Sequence, residues 1–147
     1  MKARQGAANK KMPAGYSKRS LVEKLGIKAN SKIAIVNSPA GFDAVLGPLP
    51  QGVNVSSKPG KDLDFIHAFF LSTSNLNRQF PTLKKALSPS GCLWISWPKK
   101  AAKMETDLDE NRIRDIGLNN GLVDIKVCAV DEIWSGLKFV YRLKDRN

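Results

Sequence analysis

Apolar residues recur along the chain in two rhythms, one of period two and one of helical period. Short β-branched, aromatic or alternating runs predict strands at 32–36, 53–56, 63–71, 92–97, 123–130 and 137–143. The run Leu63 to Leu71 is almost wholly apolar, which suits a central strand covered on both faces. Leu76, Phe80, Leu83 and Leu87 fall at helical spacing, as do Leu108, Ile113 and Ile116.

Local chemistry punctuates these runs. Ser20 and Glu23 form a capping box for a short helix that Gly26 ends in the left-handed conformation. Asp43 to Leu46 reads as a helical turn, and Gly47 to Gly52 as a loop that no helix can continue through. Pro81 is expected to kink or restart its helix, and Pro89-Ser90-Gly91 to turn the chain. Thr106 is the expected N-cap of the next helix, with Asp107, Asp109 and Glu110 in its first turn and Gly121 at its end.

Helical and extended segments alternate. The fold class is therefore α/β: a single open, mostly parallel twisted sheet of about six strands, with helices on both faces. The last two strands are joined by Asp131 to Gly136, a connection short enough for an antiparallel hairpin. The Val53–Ser56 run is a candidate sheet edge, and oligomeric state is not legible.

In such sheets ligands bind beyond the carboxyl ends of the parallel strands, where the strand order reverses. That rule selects Asn37 to Phe42, Ser72 to Asn75 and Trp97 to Lys100, joined by 131–136 if the fifth strand parallels the fourth. The candidate ligand-binding residues are Asn37, Ser38, Trp97, Lys99, Lys100, Asp131, Glu132, Trp134 and Ser135. Two indoles beside ammonium and carboxylate groups suit a planar or anionic ligand. The competing reading is structural, with the lysines paired to Asp131 and Glu132 and the tryptophans covering the sheet end.

Charge and composition narrow the classes. The 147 residues hold 24 Lys and Arg against 13 Asp and Glu, a net +11, and 42% are hydrophobic, enough for a real core. Six basic residues precede Glu23, so 1–14 reads as a disordered basic arm and 15–147 as the α/β domain. Residues 1–19 could bring nucleic acid to the protein by counterion release, or remain a solvated tail. No apolar run approaches the ~18 residues of a membrane span, no secretory h-region follows Met1, and two distant cysteines suit reduced thiols, so a cytoplasmic location is expected.

Enzyme motifs are sparse. Asn37-Ser38-Pro39-Ala40-Gly41 after the first strand lacks GxGxxG, and Ser56-Ser57-Lys58 stands where an acid for ribose hydroxyls belongs. His67 lies inside an apolar strand and reads as a satisfied core imidazole, while Cys92 and Cys128 read as small hydrophobes. No metal site, Ser-His-acid elbow or Walker loop can be assembled.

Gly15-Tyr16-Ser17, Lys24-Leu25-Gly26-Ile27, Trp97-Pro98-Lys99-Lys100, Thr106-Asp107-Leu108 and the run from Gly121 to Val140 resemble a bacterial family catalogued as domain of unknown function 3052. The likeness covers nearly all of the chain from Gly15 onward. It implies a reduced, methyltransferase-like Rossmann fold and brings no activity, substrate or catalytic residue. Lys18-Arg19 stands where relatives often carry a small pair.

The sequence thus leads to a non-catalytic α/β protein that binds a small molecule or anion, with no cofactor and no metal expected and S-adenosylmethionine disfavoured. The alternatives are a divergent methyltransferase-like enzyme and a nucleic-acid-associated protein acting through the basic arm.

Overall fold

The computed structural model describes residues 19–146. The expected arm at 1–14, Gly15-Tyr16-Ser17 and Lys18 lie outside the described residues. The elements are α1 (Leu21–Leu25), β1 (Lys32–Val36), α2 (Phe42–Leu46), β2 (Asn54–Ser56), β3 (Leu63–Phe69), α3 (Thr73–Ala86), β4 (Leu87–Pro98), α4 (Glu110–Asn119), β5 (Leu122–Ala129) and β6 (Trp134–Tyr141). Among the described residues no helix is long and apolar enough to cross a membrane.

The capping box forms at α1: Glu23 N–H donates to Ser20 Oγ and Ser20 N–H donates to the Glu23 carboxylate, each at 3.1 Å. Gly26 closes this helix at φ 89°. Elsewhere the caps differ from the sequence reading. Asp109, not Thr106, caps α4 by accepting from Arg112 N–H at 2.8 Å. Thr106 instead donates to the Leu71 carbonyl at 2.6 Å and accepts from Leu108 N–H at 3.1 Å. Helix α3 runs unbroken through Pro81, because buried Leu76, Phe80, Leu83 and Ala86 hold one face to the sheet. That packing outweighs the hydrogen bond the imide lacks.

The sheet order is β2-β1-β3-β4-β6-β5. β1, β2, β3 and β4 are mutually parallel where they pair, and β6 runs antiparallel to both β4 and β5. β5 therefore points the same way as β4, and the final hairpin folds β6 back between them. β2 is an edge strand, as the alternating run suggested. Pro89-Ser90-Gly91 is not a turn before β4 but an irregularity within it. Leu63 faces Leu87 and Phe65 faces Cys92, so the intervening residues of β4 bulge.

Alternation along the strands splits the interior in two. Ile66, Leu93, Ile95, Trp97, Leu137 and Phe139 pack against α3 and α4 through Leu76, Phe80, Leu83, Ile113 and Ile116. Phe65, Phe69, Trp94, Cys128 and Trp134 pack on the other face with Val22, Leu25, Phe42 and Leu46 from α1 and α2. Trp94 Nε1–H donates to the Leu25 carbonyl at 2.8 Å, which ties α1 to the sheet.

His67 belongs to the second face, stacked on Phe69 at 4.3 Å and edge-on to Phe42 at 5.3 Å. Its Nε2 shares a 2.6 Å hydrogen bond with Ser96 Oγ, while Nδ1 has no partner among the described residues. The imidazole is thus a core group, only half satisfied. Burial lowers its pKa from 6.5 to about 3.

Two outcomes follow from this packing. A Cβ on Gly117 would fall 2.0 Å from Phe139 Cε1, so Gly117→Ala is expected to cost about 1–3 kcal/mol in denaturant unfolding. Shortening the partner as Phe139→Leu should recover part of that loss in the double variant. Between pH 6.5 and about 3 the unfolded chain protonates at His67 while the folded chain does not. Stability therefore falls as pH drops through that window, by up to about 1.4 kcal/mol per pH unit. Urea unfolding across the window should show a shallower pH slope for His67→Gln, and equal slopes would refute the assignment.

Candidate functional site

The strand order reverses at β1: the chain leaves β1 for β2 on one side and returns past it to β3 on the other. β1 and β3 stay paired to Val36 and Ala68, and the connections that leave their carboxyl ends diverge to opposite faces, toward α2 and α3, as the switch-point rule requires. Asn37, the first residue beyond β1, takes φ 58°, the left-handed conformation that asparagine tolerates better than most residues. Its Nδ2–H donates to the Phe69 carbonyl at 3.2 Å and reaches Gln79 Oε1 at 3.5 Å. One amide thus links the ends of β1 and β3 to α3.

Around this clamp lies a cleft of about 390 Å³, a size usual for small-molecule sites. Its walls include Phe69, Phe70, Leu71, Met104 and Trp134, with Asn37, Asn75 and Gln79 as polar groups. The Trp134 and Phe69 rings meet edge to face at 5.1 Å. On the other side of the same β1 loop is a second cleft of about 390 Å³, lined by Ile35, Ser38, Phe42, Asp43, Leu49 and Ser57 among others.

The sequence-predicted residues divide between these places and elsewhere. Asn37 and Trp134 line the first cleft and Ser38 the second. Trp97 does not join Trp134. Although Pro98 pairs with Trp134 and Trp97 with Ser135, the pleat turns Trp97 into the core beneath α3 and α4. Trp134 and Ser135, expected in a loop, are the first residues of β6.

Lys99 and Lys100 leave the sheet end, Lys99 N–H donating to the Ile133 carbonyl at 2.7 Å. Among the described residues no ion pair joins them to Asp131 or Glu132. Asp131 is occupied otherwise: its Oδ1 accepts from Ile133 N–H and Trp134 N–H, each at 2.8 Å, and so closes the hairpin. Glu132 is exposed.

Sequence reasoning missed Gln79 and Met104. Asn75 and Gln79 stand four apart, so α3 presents both amides on one face. Met104 is delivered by the segment after β4, which is pinned at Leu71 by Thr106 and at α3 by Asp107. The Asp107 carboxylate accepts from Thr73 N–H at 2.7 Å, and that bond, chief among several causes, holds its pKa below the usual range. Among the described residues no group of His, Cys, Asp and Glu could hold a metal ion.

The Asn37 clamp makes a testable demand on the fold. Asn37→Ala loses the bond to Phe69 and is strained at positive φ, so it is expected to cost about 1–2 kcal/mol. Asn37→Gly keeps the conformational freedom and should cost less in the same unfolding experiment.

No family model matches the chain, so the resemblance to domain of unknown function 3052 rests on its quoted residues. No curated protein matches either. Solved structures do. The chain is similar to a SAM-dependent methyltransferase from Aquifex aeolicus at 17% identity and TM-score 0.54, covering 81% of this chain and 86% of that one. A ribosomal protein L11 methylase from Lactobacillus delbrueckii subsp. bulgaricus matches at 14% identity and TM-score 0.55, over 83% and 75% of the two chains. The fibrillarin pre-rRNA processing protein of Methanococcus jannaschii matches at 12% identity and TM-score 0.58, over 78% and 68%. This likeness displaces the non-catalytic binder as the leading reading in favour of the methyltransferase-like alternative, and leaves the expectation of no cofactor without support. At these identities what the chain shares with them is the fold: an α/β, Rossmann-like sheet of the kind found in SAM-dependent methyltransferases.

Proposed function

We propose that the protein is a divergent methyltransferase-like enzyme that binds S-adenosylmethionine at the strand-order reversal. The observation that carries this reading is the aromatic-walled cleft at the carboxyl ends of β1 and β3 in a sheet of this fold.

The donor chemistry of the two clefts fits such a group. The aromatic wall of Phe69 and Trp134 suits the sulfonium end of such a ligand, and the amides of Asn75 and Gln79 suit heteroatoms of an amino acid or heterocycle. The acid that the β2 end lacks has a substitute in Asp43, which lies on α2 and lines the second cleft with Ser38 and Ser57. Its carboxylate can accept from ribose hydroxyls. Ser56 is already engaged, accepting from Lys58 N–H at 3.1 Å and donating to the Lys58 carbonyl at 3.0 Å.

S-adenosylmethionine, when bound, supplies an electrophilic methyl group. The chain's contribution is to position the partners and exclude water. Asn37, Asn75 and Gln79 are the polar residues of the first cleft, and none of them titrates near neutral pH. Asp107, in the adjoining groove beside Leu71 and Met104, is held ionised by Thr73 and is a weak base. The reading therefore favours an acceptor that carries its own lone pair at neutral pH.

Calorimetry and Trp fluorescence with S-adenosylmethionine and S-adenosylhomocysteine test the proposal. Binding is expected to perturb Trp134, and Asn75→Ala should weaken it by about fivefold, the value of one neutral hydrogen bond. Absence of heat and of any thermal shift at millimolar ligand would sink the reading.

A further inference from the structure

At the opposite end of the sheet, where the parallel strands begin, lies a third cavity of about 460 Å³. Lys28, Asp64, Ser90, Cys92 and Lys138 are among its lining residues. Its lining is net positive, with Lys28 and Lys138 against the single carboxylate of Asp64, which accepts from Lys32 N–H at 2.8 Å. Among the described residues neither Lys28 nor Lys138 forms an ion pair. Burial pushes the Cys92 thiol up, while Lys138 and Lys28 pull it down, so both ammonium groups lie close enough to act on the same sulfur.

The register adds to this. Lys138 on β6 stands directly opposite Lys126 on β5, and like charges facing across a strand pair are unfavourable. Lys126 finds some relief at the Lys24 carbonyl, 3.4 Å away near the end of α1. Lys138 lies over the Trp94 ring, its Nζ 5.9 Å from the centroid. The carboxylate nearest in sequence on α1, Glu23, is committed to its capping box.

We propose that this basal cavity seats a phosphoryl group between Lys28 and Lys138, a site separate from the cleft at the other sheet end. The anion's charge offsets both ammonium groups and reduces the repulsion between Lys138 and Lys126, against the opposing cost of the Asp64 carboxylate on the same wall. Ser90 supplies a hydroxyl on the same wall. The phosphoryl group can belong to a free phosphorylated small molecule or to a nucleic-acid backbone, and the two sources differ in how binding responds to salt and chain length.

Cys92 gives a local reporter, because its thiol lies on the cavity wall. Alkylation of Cys92 in the full chain, resolved from Cys128 by peptide mass, is followed with and without inorganic pyrophosphate. At twice its Kd, pyrophosphate is expected to slow Cys92 labelling by about threefold, since only the empty cavity reacts. It is also expected to raise the thermal midpoint above that in sodium chloride of equal ionic strength. Lys28→Gln with Lys138→Gln should abolish both effects, and Lys28→Gln alone, at an exposed position, carries the test if the double variant does not fold.

A single-stranded oligonucleotide forms the second arm. Protection by pyrophosphate but not by the oligonucleotide assigns a free phosphorylated ligand, and salt-sensitive protection by the oligonucleotide assigns a backbone phosphate. No protection and no midpoint shift from either, or effects that persist in the lysine variants, overturns the proposal.

Discussion

Strand β4 is the constraint on which the molecule depends. It pairs with β3 on one side and β6 on the other, and its residues alternate between two apolar layers. Leu93, Ile95 and Trp97 carry the α3 and α4 layer, and Trp94 the α1 and α2 layer. A one-residue slip would exchange the layers and bury Cys92 and Ser96 where leucines and isoleucines now sit. Two polar anchors reinforce the register: the Trp94 indole on the Leu25 carbonyl, and Ser96 on His67. Both are buried, so each is strong, and an unpaired group left by breaking either would be costly.

From that framework the chemistry separates to the two sheet ends. The carboxyl end holds apolar walls and neutral amides, organised by one asparagine that bridges two strands and a helix. The amino end holds two ammonium groups and one carboxylate around a thiol. Such a division arises from the topology itself. Parallel strands place their loops in two sets, and the reversal at β1 opens the carboxyl-end set into a cleft. The antiparallel β6 is the exception: it returns Trp134 to the carboxyl-end cleft and carries Lys138 toward the opposite cavity.

Part of the lining of the two clefts was legible because the switch-point rule needs only the order of elements. Asn37, Ser38 and Trp134 followed from it. Trp97 failed because the loop criterion ignored the pleat: one residue along a strand changes the face, and Trp97 and Trp134 sit on opposite faces. The competing structural reading, with Lys99 and Lys100 paired to Asp131 and Glu132, is not met among the described residues, because Asp131 has a nearer use, accepting two backbone N–H groups of its own hairpin. Short-range hydrogen bonds of that kind outcompete exposed ion pairs, which gain little in water. Met104 and Gln79 carried no signal of their own, since one is delivered by a pinned segment and the other by a helical turn.

The sequence by itself determined the class of fold, the strand and helix alternation, the capping box at Ser20 and the buried nature of His67. All of these depend on periodicity or on residues within a few positions of one another. Tertiary structure decided the rest: the insertion of β6 between β4 and β5, the continuity of α3 through Pro81, and which face each tryptophan joins. It also decided that Lys138 faces Lys126 and shares a cavity with Lys28. Pairings between residues far apart in the chain are selected by burial and register across the whole sheet, and no local pattern encodes them.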